Sequence, residues 1–166
     1  KDQRPLESRD DVVLFTTEPL TEDLEVTGRL IAKLFVSTDC EDTDIVVRLT
    51  DVYPDGRSIL IADGICRLAG SDGPFAATPA TDKPVEVGVD LWSTSMVFAK
   101  GHRIRISVSS SNYPRFAVNP NRKLEDTGAP KVAHNAIHMG PQYPSRLILP
   151  VVRQGKTPLS PKQLTE

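Results

Sequence analysis

Apolar residues recur along this chain at every second position, in short runs cut by turn residues. Residues 101–116 show the pattern best. There Ile104, Ile106 and Val108 alternate with Arg103, Arg105, Ser107 and Ser109. A period of two puts the apolar set on one face of a half-buried β-strand. Lys100-Gly101 supplies a turn before this strand, and Asn112 to Pro114 break it afterwards. The same period predicts strands over 12–16, 24–27, 30–37, 45–52, 58–62, 65–68, 84–91, 132–137 and 146–152, with a short apolar step at 96–98. Leu30, Ala32, Leu34 and Val36 share a face, with Ile31 and Phe35 on the other, so both sides of that strand are expected to be covered. Ile45, Val47 and Leu49 oppose Val46, Arg48 and Thr50 in the same way.

The breaks carry as much information as the runs. Tyr53-Pro54-Asp55-Gly56-Arg57 reads as a tight hairpin, with proline presetting φ and glycine taking a positive φ. Gly28 and Asp63-Gly64 read as bulges or bends inside otherwise continuous strands. Residues 1–11 form a polar, extended lead, 69–83 a long Gly/Pro/Ala-rich loop expected to be mobile, and 153–166 a polar, proline-bearing tail. No stretch carries a helical period, and fourteen prolines and ten glycines punctuate the chain. Eight to ten strands in 166 residues predict one all-β domain over 1–152, a jelly-roll β-sandwich of two sheets, with a Greek-key sandwich of another topology as the alternative.

Charge narrows the function. Twenty basic and 22 acidic residues give a net charge of -2, which makes no electrostatic case for nucleic acid or an anionic membrane. No apolar run is long enough to span a bilayer, and there is no signal-peptide pattern. The first residue is Lys1, so the chain reads as a piece of something longer. The compartment follows that uncertainty: cytoplasmic is favoured, and secretion stays open.

Candidate chemistry is sparse. Ser109, Ser110 and Ser111 have neither a base nor an oxyanion hole nearby in sequence, so they read as a polar strand end. Asp39, Glu41, Asp42 and Asp44 cluster in one loop. A calcium site is one reading, and a solvated loop capping its own backbone is the preferred one, because EF-hand spacing is absent. His134 and His138 would share a face of a strand, but no third metal ligand is identifiable. His102 sits in a turn and reads as a surface residue. Cys40 and Cys66 read as free thiols. Trp92, the only tryptophan, reads as a core or inter-sheet plug in preference to a ligand-stacking ring. No cofactor or metal is expected.

Several stretches in order carry a resemblance. They are Asp2-Gln3-Arg4-Pro5-Leu6-Glu7, residues 11–27, Asp42-Thr43-Asp44, residues 49–57, Ala62-Asp63-Gly64-Ile65, Asp90-Leu91-Trp92-Ser93-Thr94-Ser95, residues 101–116 and residues 144–152. Together they resemble the C-terminal domain of the X-Pro dipeptidyl-peptidase and cocaine esterase type of serine hydrolase, a group that includes glutaryl acylases and α-amino acid ester hydrolases. The resemblance implies a jelly roll of the galactose-binding-like kind whose Ser-Asp-His triad lies upstream, in an α/β-hydrolase domain of the same polypeptide. This chain has no Gly-x-Ser-x-Gly elbow, so no catalytic residue is assigned within it. The resemblance also implies that the jelly roll starts before Lys1, with an early strand absent or supplied from elsewhere. Two departures stand out. Ala117-Val118 replaces an Asp-Arg pair, and His138-Met139-Gly140 stands where Tyr-His-Asp is usual.

The expected role is a non-catalytic domain that packs on the hydrolase core and walls part of its substrate cleft. Trp92, Met96, Phe98, Asn112, Tyr113 and Phe116 are the expected docking residues. If Trp92, Met96, Phe98, Tyr113 and Phe116 all lay deep inside the sandwich, that expectation would lose its basis. The alternative is a carbohydrate-binding module, and a third reading is a homo-oligomerisation element.

Overall fold

The computed structural model describes residues 1–69, 83–123 and 125–152. The loop 69–83 and the tail 153–166 therefore lie almost wholly outside the described residues. Eight strands follow one helical turn, α1 (Arg4–Glu7): β1 (Val13–Thr16), β2 (Leu24–Thr38), β3 (Asp44–Val52), β4 (Ser58–Arg67), β5 (Val85–Phe98), β6 (Arg103–Ser109), β7 (Asn135–His138) and β8 (Arg146–Ile148). They make two antiparallel sheets. One has the order β1-β6-β3-β4, the other β5-β2-β7, with β8 also paired to β2. This is the all-β sandwich that the alternation predicts.

The core is made by the inward faces of both sheets. Leu30, Ala32, Leu34 and Val36 of β2 meet Ile45, Val47 and Leu49 of β3 and Ile104, Ile106 and Val108 of β6. Each was placed on an apolar face by its period of two, and burial of that face is the main driving force for the fold. The hairpin at 53–57 forms as expected, with Gly56 at φ 86 and its N–H donating to the Tyr53 carbonyl at 2.9 Å.

The second face of β3 is buried too, because the chain ends of other elements lie over it. Val46 and Thr50 are wholly buried and Arg48 is 3% exposed. Residues 1–11 supply part of that cover, and they are not fully extended as the sequence suggests. α1 turns Glu7 into the protein, where its carboxylate accepts from Ser58 Oγ at 2.7 Å and from Arg105 at 2.7 Å. A buried carboxylate is tolerable only with such partners.

Three features fall elsewhere than the sequence suggests. β2 runs without interruption through Gly28, whose φ of 136 and close contact with Pro150 require glycine there. The bulge lies further along and on the partner strand. Arg29 pairs with Ser93 and Ile31 with Asp90, so Leu91 and Trp92 together oppose Leu30. β4 likewise continues through Asp63-Gly64. Leu49 pairs with Ala62 and Thr50 with Leu60, which leaves Ile61 as the extra residue. Gly64 has a different duty: a Cβ there would lie 2.1 Å from the carbonyl oxygen of Asp90, so glycine lets β4 and β5 meet. The last strand is also shorter than 146–152. It ends at Ile148, and only Val151 bridges back to Val26.

Candidate interdomain face

Trp92 is the first surprise. It is 68% exposed and so is not a core plug. It does not end a strand either, because β5 runs through it. Its φ is 66, a left-handed conformation that is costly for a bulky side chain. The bulge imposes it, and Asp90 holds it: the Trp92 N–H donates to Asp90 Oδ1 at 3.0 Å. Asp90 in turn accepts from Arg29 Nε at 3.2 Å. The Arg29 guanidinium, followed by the Trp92 N–H, holds the Asp90 carboxyl below its ordinary pKa. A strained, exposed ring fixed by a satisfied polar pair is a feature that needs a use.

The loop after β6 is fixed in a comparable way. Arg48, buried on the outer face of β3, donates to Ser109 Oγ at 2.9 Å, to the Ser111 carbonyl at 3.0 Å and to Asn112 Oδ1 at 3.0 Å. Burial pulls the Arg48 guanidinium below its ordinary pKa, while the charge of Asp63 opposes that shift. Asn112 Nδ2 donates to Asp63 Oδ2 at 2.7 Å, and Arg115 pairs with the other Asp63 oxygen. Arg115 also lies over the Phe116 ring, 5.4 Å from its centre. With its base so tethered, the loop projects Tyr113, which is 74% exposed. Arg48, Asp63 and Arg115 were not named as site residues from sequence. The available signal was an arginine alternating with valines in a central strand.

These two pieces are anchored on neighbouring residues. Asp63 holds the loop, Gly64 packs on Asp90, and Asp90 holds Trp92. Asn112 is thereby tied to β4, and Trp92 lies on β5 two residues from the point where that strand meets β4. Met96 and Phe98 have no part in these contacts. Met96 is half-buried and packs on the core, and Phe98 is fully buried; both pair with the early part of β2, at Val26 and Leu24.

The serines are structural. Ser109 Oγ donates to the Ser111 carbonyl at 3.1 Å and accepts from Arg48, and Ser110 accepts from Asn135 Nδ2 at 2.7 Å. The three histidines hold different fragments of a triad. His102 Nδ1 lies 2.9 Å from Asp51, and His134 Nδ1 lies 2.7 Å from Asp39. His138 Nε2 lies 2.8 Å from Ser37 Oγ. Among the described residues no histidine joins a hydroxyl to a carboxylate, which is what nucleophile activation requires. His102 is also not a surface residue: its side chain is 14% exposed and stacks on Tyr53 at 4.2 Å. His134 and His138 have separate partners and make no shared site.

The acidic loop is occupied by the protein's own donors. Asp42 is fully buried and accepts from Arg67 Nε at 2.6 Å, Ala69 N at 2.9 Å and Asn119 Nδ2 at 3.2 Å. Asp44 accepts from Asn119 Nδ2 at 2.8 Å. Cys40 and Cys66 are free and buried, and burial pushes the Cys66 thiol up to about 11.

Comparison with known proteins adds three findings. A family model described as the X-Pro dipeptidyl-peptidase C-terminal non-catalytic domain matches residues 3–148. Cocaine esterase from Rhodococcus sp. (strain MB1 Bresler) is 42% identical over 161 residues, covering 92% of this chain and 28% of the esterase. Two solved structures superimpose with a TM-score of 0.83: an aminopeptidase from a marine sediment Thaumarchaeota archaeon, 32% identical over 92% of this chain, and an α-amino acid ester hydrolase, 31% identical over 91% of it. The chain spans 28% and 27% of those two proteins.

Proposed function

This chain belongs to the family of X-Pro dipeptidyl-peptidase C-terminal non-catalytic domains, and on that premise we propose that it serves a serine hydrolase as an accessory domain, packing on an α/β-hydrolase catalytic domain in the same polypeptide. The relatives' names speak of ester and peptide cleavage, and the reaction proposed for the whole protein is acyl transfer to water through an acyl-enzyme. This domain contributes no group to that chemistry. Its part is to wall the cleft at the domain junction, a common place for substrate sites.

The observation that carries this reading is Trp92, a ring 68% exposed and held at φ 66 by a bulge and by Asp90. Exposed apolar rings on a rigid sheet suit an interdomain contact. The test is Trp92→Ala and Tyr113→Ala in the full-length protein, assayed on simple esters and an X-Pro anilide. Both variants are expected to lower kcat/KM about tenfold or more while the thermal midpoint of the sandwich stays within a few degrees. Unchanged kinetics in both variants would remove Trp92 and Tyr113 from the cleft wall.

The same two rings are what a carbohydrate-binding module would use as a stacking platform. A glycan screen with the full-length protein separates the readings, and a hit lost in Trp92→Ala would favour the module. A homo-oligomer would show as a concentration-dependent sedimentation coefficient.

A further inference from the structure

Arg48 stands in the middle of β3, in register with Asp63 on β4 and Ser107 on β6. An arginine and an aspartate set opposite each other across two strands would ordinarily pair. These two do not. The three acceptors of Arg48 all belong to the end of β6 and the turn after it: Ser109 Oγ, the Ser111 carbonyl and Asn112 Oδ1. The Asp63 carboxylate goes instead to Asn112 Nδ2 and to Arg115, whose side chain is 53% exposed. The Asn112 amide therefore joins a buried cation to a buried carboxylate, accepting from the first and donating to the second. The Phe116 N–H donates to the Asn112 carbonyl at 3.1 Å, which closes the turn. Tyr113 projects between these two fixed points.

Stability does not account for this arrangement. A guanidinium buried in β3 loses its hydration, and Arg48 has no carboxylate among the described residues bonded to it to offset that loss. Its acceptors do not depend on it either. Ser111 is exposed, and Ser109 and Asn112 are half-buried, so water can reach them. What Arg48 supplies is geometry, because three bonds from one planar fork fix both the place and the orientation of the turn. We infer that Arg48 is a positioning residue: it sets where the turn presents Tyr113, and it acts on the hydrolase reaction only through that ring. The inference rests on the reading proposed above, in which Tyr113 walls the substrate cleft.

The experiment is a double-mutant cycle in the full-length protein, with Arg48→Met, Tyr113→Ala and the two together assayed on a simple ester and an X-Pro anilide. Arg48→Met is expected to lower kcat/KM about tenfold while the thermal midpoint stays within a few degrees of the parent. In the Tyr113→Ala background the same change is expected to cost less than about twofold. The second readout is spectroscopic. With fluorotyrosine incorporated, the Tyr113 fluorine resonance, assigned by its loss in Tyr113→Phe, is expected to shift or broaden in Arg48→Met. Arg48→Lys keeps the buried charge but not the fork, so it should move the same resonance, and it serves where the methionine variant does not fold. A Tyr113 resonance unmoved in both variants would overturn the inference, and so would equal losses of kcat/KM from Arg48→Met in the two backgrounds. A Tyr113→Ala variant with unchanged kcat/KM would instead be a failure of the cleft reading, so the two failures are told apart.

Discussion

The β4–β5 side and the β1–β8 side of this sandwich solve the same problem in opposite ways. Both are sheet ends, where backbone groups and apolar side chains risk exposure. On the β4–β5 side the answer is internal. Gly64 removes its own side chain so that two strands can touch, and a bulge turns Trp92 outward. On the β1–β8 side nothing within the described residues closes the gap, and an apolar slot opens onto core isoleucines. One side is closed by the domain's own strands, and the other leaves core isoleucines at a cleft among the described residues. Strain is stored on the closed side, and unpaired edges are left on the open one.

Four changes should break or sharpen that contrast. The largest effect is expected for Gly64→Ala. Its methyl would sit 2.1 Å from a backbone oxygen, so strands must separate, at a cost of about 4 kcal/mol. Chemical denaturation reads this directly, and a loss under about 1 kcal/mol would mean the closed side is looser than described. Next comes a pair of truncations. Leu30→Ala, fully buried opposite the bulge, should cost about 3 kcal/mol, and Ile106→Ala, on the slot floor, about half that in the 166-residue chain. If both cost the same, the slot is not open to solvent.

The third change has the opposite sign. Trp92→Gly should stabilise the chain by about 1 kcal/mol, because glycine adopts φ 66 without strain. The same variant should lower activity in the full-length protein. The smallest effect is electrostatic. Burial raises the Asp44 pKa above 3.8, with Asn119 opposing. A raised carboxylate pKa favours the protonated fold, so this group's contribution to stability falls as pH climbs from 3.8 through the raised value. Asp44→Asn should therefore gain on the parent as pH rises from acid to neutral in thermal melts. Asp39, lowered to about 2 chiefly by the His134 backbone N–H, runs the other way. Its contribution is present above 3.8 and is lost as pH falls toward 2.

How much of this could be read in the chain depends on the kind of interaction. Ile104, Ile106 and Val108 were legible because burial on one face writes a period of two into the sequence. The 53–57 hairpin was legible because proline and glycine have few conformations to offer. The bulges were not. They arise from register between strands far apart in sequence, and glycine proved to mark a close approach at position 64 and a packed proline at position 28. Trp92 was misplaced for the same reason, since a bulge flips a side chain against the local alternation. The polar cover over β3 was also hidden. Arg48, Glu7 and Asp63 look like solvent-facing residues until Asn112, Ser58 and Arg105 meet them across the fold. Met96 and Phe98 were named as docking residues with Trp92 because they share its stretch of chain, yet Met96 is half-buried and Phe98 fully buried.

The most direct test of the central claim is a side-by-side assay of ester and X-Pro anilide hydrolysis by the full-length protein and by the purified 166-residue chain. Turnover is expected of the full-length protein, abolished when the nucleophilic serine of the proposed catalytic domain is replaced, and a rate no greater than buffer is expected of the 166-residue chain. Hydrolysis by the 166-residue chain above that background would contradict it.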